Sequence, residues 1–215
     1  MSNPLENSAP PPEPEAVSTR ERILEVAETL FAERGFAAVS VRDIAAGVGL
    51  NQASLYNHFP SKQALYEAVL EGGLAPIQRI IAEAARGVES EPAGDRFLVA
   101  LLDHLCARPH LPKLLQREVL DDDEIFDRLA TKWLEPIFAE GRATVASATW
   151  GLGWDEREVP FAVLALYHLI FGPFASRALM RRLSGVDPLD PAARPVLVEF
   201  LKRATRQLME LDSSA

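Results

Sequence analysis

A short polar stretch near the N-terminus carries most of the side chains that suit recognition chemistry. Its sequence, QASLYNHF over residues 52–59, turns Leu55 and Phe59 to one side of a short helix. The remaining side chains offer amides, a hydroxyl, a phenol and an imidazole, with no acid among them. Such a face can enter a major groove and bond to base edges and phosphates. The outward positions are Gln52, Ala53, Ser54, Tyr56, Asn57 and His58.

The residues before this face predict the elements that hold it. Ser40 suits the N-cap of a helix over residues 41–47, and Asp43 stands where a capping-box partner belongs. Gly49 suits a turn that needs a positive φ, and Asn51 suits the N-cap of the second helix. Two short helices joined in this way form a helix-turn-helix. A surface corner of an ordinary helical protein has the same pattern and is the alternative.

Two further helices flank this motif. Residues 18–34 have one apolar stripe and a capping-box pattern at Ser18 and Glu21, so we expect a helix that braces the motif. After Pro60, Ser61 can cap a helix that runs to about residue 85, past Gly72, Gly73 and Pro76, where a bend is expected. Lys62 at its start predicts a phosphate contact beside free backbone N–H groups.

The segment from about residue 19 to residue 70 resembles the DNA-binding head of the TetR family of bacterial transcription regulators. The resemblance covers about a quarter of the chain and implies a head that binds operator DNA. It departs mildly at Leu50, where valine is common, and at Ala53, where glycine is common. The residues that carry it are Ala45, Gly49, Leu55-Tyr56-Asn57-His58-Phe59, Ser61-Lys62 and Leu65-Tyr66. The predicted DNA contacts are Ser40, Arg42, Asn51, Gln52, Ala53, Ser54, Tyr56, Asn57, His58 and Lys62.

The overall charge at first argues against a nucleic-acid partner. The 215-residue chain has a formal net charge of −9. Between residues 36 and 66, however, the charged side chains are Arg42, Asp43 and Lys62 only, and acids concentrate elsewhere, for example at residues 121–124. We therefore expect hydroxyls and backbone amides to make most of the phosphate contacts.

The rest of the chain predicts an all-α body and no β-strand. Helical apolar stripes extend from residue 95 and across residues 111–120, 124–148, 158–182 and 190–211. Pro136 should interrupt the third stripe, and Gly172-Pro173 should kink the fourth. The predicted organisation is a disordered Pro-rich tail at 1–17, a head at 18–70 and a larger effector-binding and dimerisation domain at 71–215.

The body predicts two kinds of site. Kinked helices leave gaps in which a small, largely apolar effector can bind, although aromatic residues at helical spacing often belong to the core. The last two helices are apolar on most sides, and the resemblance implies that two copies pair through them. The candidate effector residues are Trp133, Phe138, Tyr167, His168, Phe171 and Phe174, and the candidate interface residues are Phe161, Leu164, Val196, Phe200, Leu201, Ala204 and Leu208.

Other function classes find little support. Cys106 is the only cysteine, and His104, Cys106 and His110 fall on different helix faces, so neither a disulfide nor a metal site is expected. Neither a membrane span, a signal peptide nor a catalytic motif is recognisable, which favours a cytoplasmic protein without a cofactor. Alternatives to the effector-released repressor are a DNA-binding dimer without an effector and a helical enzyme with a helix-turn-helix-like corner.

Overall fold

The computed structural model describes residues 18–86, 91–121, 124–148 and 155–210. These residues form helices and turns without a β-strand, so the predicted all-α fold is confirmed. The predicted tail at 1–17 lies outside the described residues. In chain order the helices are α1 (Thr19–Arg34), α2 (Val41–Gly47), α3 (Gln52–Tyr56), α4 (Lys62–Arg86), α5 (Glu91–Ala107), α6 (Leu111–Asp121), α7 (Glu124–Leu129), α8 (Glu135–Ala148), α9 (Val159–Ala175), α10 (Arg177–Ser184) and α11 (Arg194–Glu210).

The head consists of α1 to α3 and the start of α4, and its core is apolar. Ile23 and Phe31 on α1, Ile44 on α2 and Leu55 on α3 are all fully buried. Phe31 meets Tyr66 of α4 edge to face, with ring centroids 4.8 Å apart. An edge-to-face pair adds about 1 kcal/mol to the stabilisation from buried area. This packing fixes α2 and α3 against α1 and α4.

The fourth helix links head and body. It is continuous from Lys62 to Arg86, through the predicted boundary at residue 70 and past the expected breakers. Close packing explains the glycine at position 73, because a Cβ there would lie 2.5 Å from Cδ1 of Leu111. The predicted division at residue 70 therefore lies within one continuous helix, and it stays a prediction.

A buried ion pair also joins the body to the head. The guanidinium of Arg108, just after α5, pairs with the carboxylate of Glu28 on α1, whose side chain is 5% exposed. The same group donates to the Val69 carbonyl at 3.3 Å, and His104 contacts the Gly73 carbonyl at 2.8 Å through Nε2. The end of α5 and the residue that follows it thus contact both α1 and α4.

Three predicted body elements differ from the structure. Pro136 does not itself end a helix. The change in helix type falls before it, where a π-helical turn at Ala130–Leu134 joins α7 to α8 without a gap. The break between α9 and α10 falls at Ser176, after Pro173, with an angle of 71° between the two helices. The last helix starts at Arg194 because residues 190–193, which include Pro191, form turns.

Candidate nucleic-acid interface

The turn between α2 and α3 is a Schellman motif. The N–H of Leu50 donates to the Ala45 carbonyl at 2.8 Å, and the N–H of Gly49 donates to the Ala46 carbonyl at 3.1 Å. This pattern needs a left-handed residue at its second-last position, and Gly49 has a φ of +72°. Glycine therefore sets the direction in which α3 leaves α2.

Both helices of the motif have the N-caps that the sequence predicts. The Ser40 hydroxyl accepts from the N–H of Asp43 at 3.1 Å, and the Asp43 carboxylate accepts from the N–H of Ser40 at 3.0 Å. The Ser40 hydroxyl also donates to the Asp43 carboxylate at 2.6 Å, and this bond, with the one from the Ser40 N–H, holds the pKa of Asp43 below its ordinary value. At α3, Oδ1 of Asn51 accepts from the N–H of Ser54 at 2.8 Å. The caps bond backbone N–H groups that helices of seven and five residues would otherwise leave without partners at their starts.

The exposed side of α3 matches the sequence prediction of its orientation. Leu55 is fully buried and Phe59 nearly so, and Ser54 is half-buried. Tyr56 is 45% exposed although it is a large aromatic residue. A short helix with its apolar side inward and a polar side in water has the size to fit a major groove. The exposed residues on and beside it are Asn51, Gln52, Ala53, Tyr56, Asn57 and His58; Ser40 and Arg42 are exposed at the start of α2.

Lys62 takes a more restrained position than the sequence predicts. Its Nζ donates to the Ala37 carbonyl at 3.4 Å and lies 4.3 Å from the ring centroid of Phe36. Partial burial lowers the pKa of this ammonium. The Ser61 hydroxyl accepts from the N–H of Ala64 at 3.0 Å, so one N–H of the first turn of α4 is already bonded. The lysine is thus held close to the head surface at the start of α4.

The first helix braces the motif, as expected. The guanidinium of Arg22 donates to the Val48 carbonyl at 3.3 Å and so attaches the turn to α1. The guanidinium of Arg20 lies 5.0 Å from the ring centroid of Phe59. Sequence reasoning did not predict the contact made by Arg22. A basic residue just before an apolar stripe carries no signal that distinguishes a brace from a surface charge.

Comparison with known proteins agrees with this geometry. A sequence profile of the bacterial regulatory proteins of the tetR family matches residues 23–69, which include α2, the turn and α3. The head of this chain therefore has the DNA-binding domain typical of TetR-family regulators. TetR-family proteins form a class of transcriptional regulators, which is not a class of enzymes. The predicted resemblance to the TetR family is therefore confirmed, together with a DNA-binding helix-turn-helix.

The relatives differ in how much of the chain they resemble. The transcriptional repressor KstR2 of Rhodococcus jostii is 49% identical over 55 residues, which are 26% of this chain and 27% of that protein. The probable regulator YttP of Bacillus subtilis is 24% identical over 196 residues, 86% of this chain and 91% of its own length. The crystal structure of Mycobacterium smegmatis AmtR shares the fold, with a TM-score of 0.66 and 24% identity over 95% of this chain and 92% of that one. The segment matched to KstR2 spans about a quarter of that relative's length.

The aromatic residues predicted for an effector site do not gather around one cavity. Phe171 and Phe174 are buried in the hydrophobic core, and Phe138 and Tyr167 are half-buried. Tyr167 stacks on Phe171 with centroids 4.8 Å apart, and burial raises the pKa of its phenol. His168 is exposed on α9. Of the six predicted residues, only Trp133 lines the cavity described next.

A cavity of about 470 Å³ lies between the head and the body. Phe36, Tyr66 and Leu70 form its head side, and Leu129 and Trp133 form its body side. Its position at the head was not predicted, because the candidate effector residues were all chosen from the body helices. The other lining residues are Gln63, Glu67, Ile125, Asp127, Arg128, Thr131 and Lys132.

The predicted interface residues are divided between an exposed face and the core. Phe161 and Val196 are 74% and 71% exposed, and Leu164 and Phe200 are also exposed. Ala204 and Leu208 are half-buried. Leu201 is fully buried within its own chain, so its prediction as an interface residue is wrong: it faces the core, three residues and nearly one helical turn from Val198, which is also buried.

Two further properties of the described residues concern metal binding and membrane spanning. Within the described residues, no group of three or more His, Cys, Asp or Glu side chains is arranged to hold a metal ion. Over the same residues, no single helix is long and apolar enough to cross a membrane, and only the bent pair α9–α10 passes that test, by length and composition.

Proposed function

We propose that this TetR-family regulator is a homodimeric repressor that binds a palindromic operator and is released by a small, largely apolar effector. The observation that carries the proposal is the exposed polar face of α3, presented by a capped turn. The similarity of the head to KstR2, which is named a transcriptional repressor, supports repression over activation.

Exposed apolar residues on the last three helices support a dimer. A monomer in water seldom leaves so many large apolar side chains of neighbouring elements exposed. DNA recognition also favours a dimer, because two heads about 34 Å apart can read two half-sites of a palindrome. The exposed residues are Phe161 and Leu164 on α9, Leu179 and Leu183 on α10, and Val196 and Phe200 on α11.

The release mechanism follows from that spacing. The two heads of a dimer sample more than one separation, and only one separation lets both α3 helices enter successive major grooves. An effector that binds better to the other arrangement shifts the population away from the DNA-binding form. The ion pair between Glu28 and Arg108 and the shared helix α4 offer a stiff route from body to head.

A dimer without a small-molecule effector is the second candidate. The burial of Phe171 and Phe174 in the core favours it, because these residues then fill space instead of lining a pocket.

A gel-shift experiment with the DNA upstream of the protein's own gene tests the DNA-binding proposal. We expect a discrete complex whose formation requires both halves of a palindrome. A protein that is folded and dimeric, yet leaves this DNA and its scrambled version equally unshifted, would contradict the proposal.

A further inference from the structure

The cavity between head and body has the walls of a site for aromatic molecules. Three rings, those of Phe36, Tyr66 and Trp133, lie on its surface. Phe36 and Tyr66 are already in contact, with centroids 4.9 Å apart. The volume of about 470 Å³ falls in the range of small-molecule sites in proteins. Aliphatic side chains of Leu70, Ile125 and Leu129 complete the wall.

The π-helical turn is what contributes the third ring. The N–H of Glu135 donates to the Ala130 carbonyl, five residues back, so this turn contains one extra residue compared with an α-helix. Trp133 lies within that turn and is 9% exposed. Single π-helical turns within α-helices occur frequently at functional sites. Here the turn coincides with the cavity, which gives a second and independent reason to examine the same place.

The rim indicates which kind of molecule fits. Glu67 and Asp127 bring two negative charges, and Arg128 and Lys132 bring two positive ones. Lys132 lies 3.9 Å from the carboxylate of Glu71 and 5.3 Å from the Trp133 ring, so its charge already has neighbours. A balanced rim gives no net attraction for an anion or a cation. The favoured occupant is therefore neutral, ring-containing and mostly apolar.

The wall of the cavity is connected to the DNA-binding surface. Phe36 is the ring over which Lys62 lies, at 4.3 Å, and Lys62 is a predicted phosphate contact. Tyr66 packs edge to face on Phe31, in the core beneath the helix-turn-helix. An occupant that moves either ring must disturb the lysine or the support of the motif.

We propose that a neutral, ring-containing molecule binds between Phe36, Tyr66 and Trp133 and weakens DNA binding by displacing the Phe36 ring under Lys62. The inference rests on the proposed DNA-binding function and assigns a place and a chemical class to the effector. It locates regulation at the joint between head and body instead of among the aromatic residues of α9.

The probe for the test is N-phenyl-1-naphthylamine, a neutral aromatic dye whose emission rises in apolar sites. Full-length dimer is titrated with the dye, in a form in which Trp150 and Trp154 are replaced by Phe so that Trp133 is the only tryptophan. A Thr131→Trp variant fills the cavity from its exposed rim. The matched control is Ala139→Trp, which adds the same ring at an exposed position of α8 that does not line the cavity.

We expect one dye to bind per chain and to quench Trp133. Thr131→Trp should weaken dye binding about tenfold or more, and Ala139→Trp should leave it unchanged. Saturating dye should raise the Kd for the upstream DNA about fivefold or more in the wild type and the control, but not in Thr131→Trp.

Two results would overturn the inference. One is dye binding that is absent, or equally strong in Thr131→Trp; the other is specific dye binding that leaves the DNA Kd unchanged. If the protein retards no DNA even without dye, the proposed function fails instead, and the dye titration alone then decides whether the cavity is a binding site.

Discussion

We expect side chains of α3 and of the start of α4 to divide into base-reading and phosphate-positioning groups. Gln52 opens the helix, is exposed and carries an amide that can bond to a base edge in two places. Tyr56, also exposed, and Lys62, at the start of α4, suit phosphate oxygens. The sequence alone predicted which side chains of α3 face water, because the amphipathic pattern fixes the buried side of the helix.

Substitutions should separate the two groups. Gln52→Ala should change which base is preferred at one operator position, with a discrimination loss of about 1–3 kcal/mol. Tyr56→Ala and Lys62→Ala should weaken binding to all sequences by similar factors. Competition binding against a library of operator variants measures both effects. An unchanged preference in Gln52→Ala would refute base reading by this side chain.

Gly49 is the residue whose conformation sets the direction of α3. A Cβ at this position would touch nothing within 4 Å, so the cost of Gly49→Ala comes from its φ of +72° alone. We expect a loss of about 1–2 kcal/mol in the free energy of unfolding, measured by urea denaturation.

The matched control for that substitution is Gly141→Ala in α8. Its added methyl group would meet Val163 at an ordinary contact distance of 3.4 Å. Because alanine favours helices over glycine, this variant should be neutral or up to about 1 kcal/mol more stable. An equal loss in both variants would show that backbone conformation at residue 49 is not the cause.

At the scale of elements, the head could be predicted closely and the body only in outline. The bounds of α2 and both caps were predicted because Ser40, Asp43 and Asn51 act on neighbours within three residues. The π-helical turn before Pro136 and the late break at Ser176 could not be predicted, since each depends on how helices far apart in sequence pack. The cavity was missed for the same reason.

The segment after α10 is held by a two-pronged ion pair that should respond to acid. Nε and Nη2 of Arg177 donate to the two oxygens of Asp187 at 2.7 and 2.6 Å, and these bonds lower the pKa of Asp187 from 3.8 to about 2. A lowered pKa stabilises the folded form above pH 3.8, and the stabilisation disappears as pH falls through about 2.

Asp187→Asn should remove that pH dependence. Urea unfolding between pH 5 and pH 2 should show a shallower fall in stability for this variant than for the wild type. Asp127→Asn, which changes an exposed carboxylate of α7, serves as the control and should keep the wild-type slope. Identical slopes in all three proteins would mean that the Arg177–Asp187 pair does not contribute in this window.

For the whole molecule, the joint between head and body depends on a buried charge pair that sequence reasoning missed. Glu28 lies beside Ala27 on the buried side of α1, and an acid in that place was a signal of a hidden partner. The partner, Arg108, is eighty residues away in the chain, so only the fold reveals it.

Removing one partner of this pair should cost more than removing both. Arg108→Met leaves the Glu28 carboxylate buried without its guanidinium, and we expect a loss of about 3 kcal/mol or more in the free energy of unfolding. The double variant Glu28→Leu, Arg108→Met should lose less. A double variant as unstable as the sum of the two single ones would show that the pair is not coupled.

The exposed apolar face of the last helices should mediate pairing. Phe161→Asp combined with Val196→Asp should convert a dimer to a monomer in sedimentation velocity, because charges replace apolar contacts at the interface. Leu120→Asp on α6, which changes a residue 76% exposed and outside this face, should leave the dimer intact. A monomeric wild type, or a dimer that survives the double change, would contradict this assignment.

The most direct measurement is the affinity of the purified full-length protein for its own upstream DNA, by fluorescence anisotropy at two salt concentrations. We expect saturable binding that weakens as the salt concentration rises. The double variant Gln52→Ala/Tyr56→Ala should lose this binding, while its dimerisation and its thermal unfolding stay unchanged. Equal binding by this variant and the wild type, or no binding by either, would contradict the assignment of the exposed face of α3 as the DNA-reading surface.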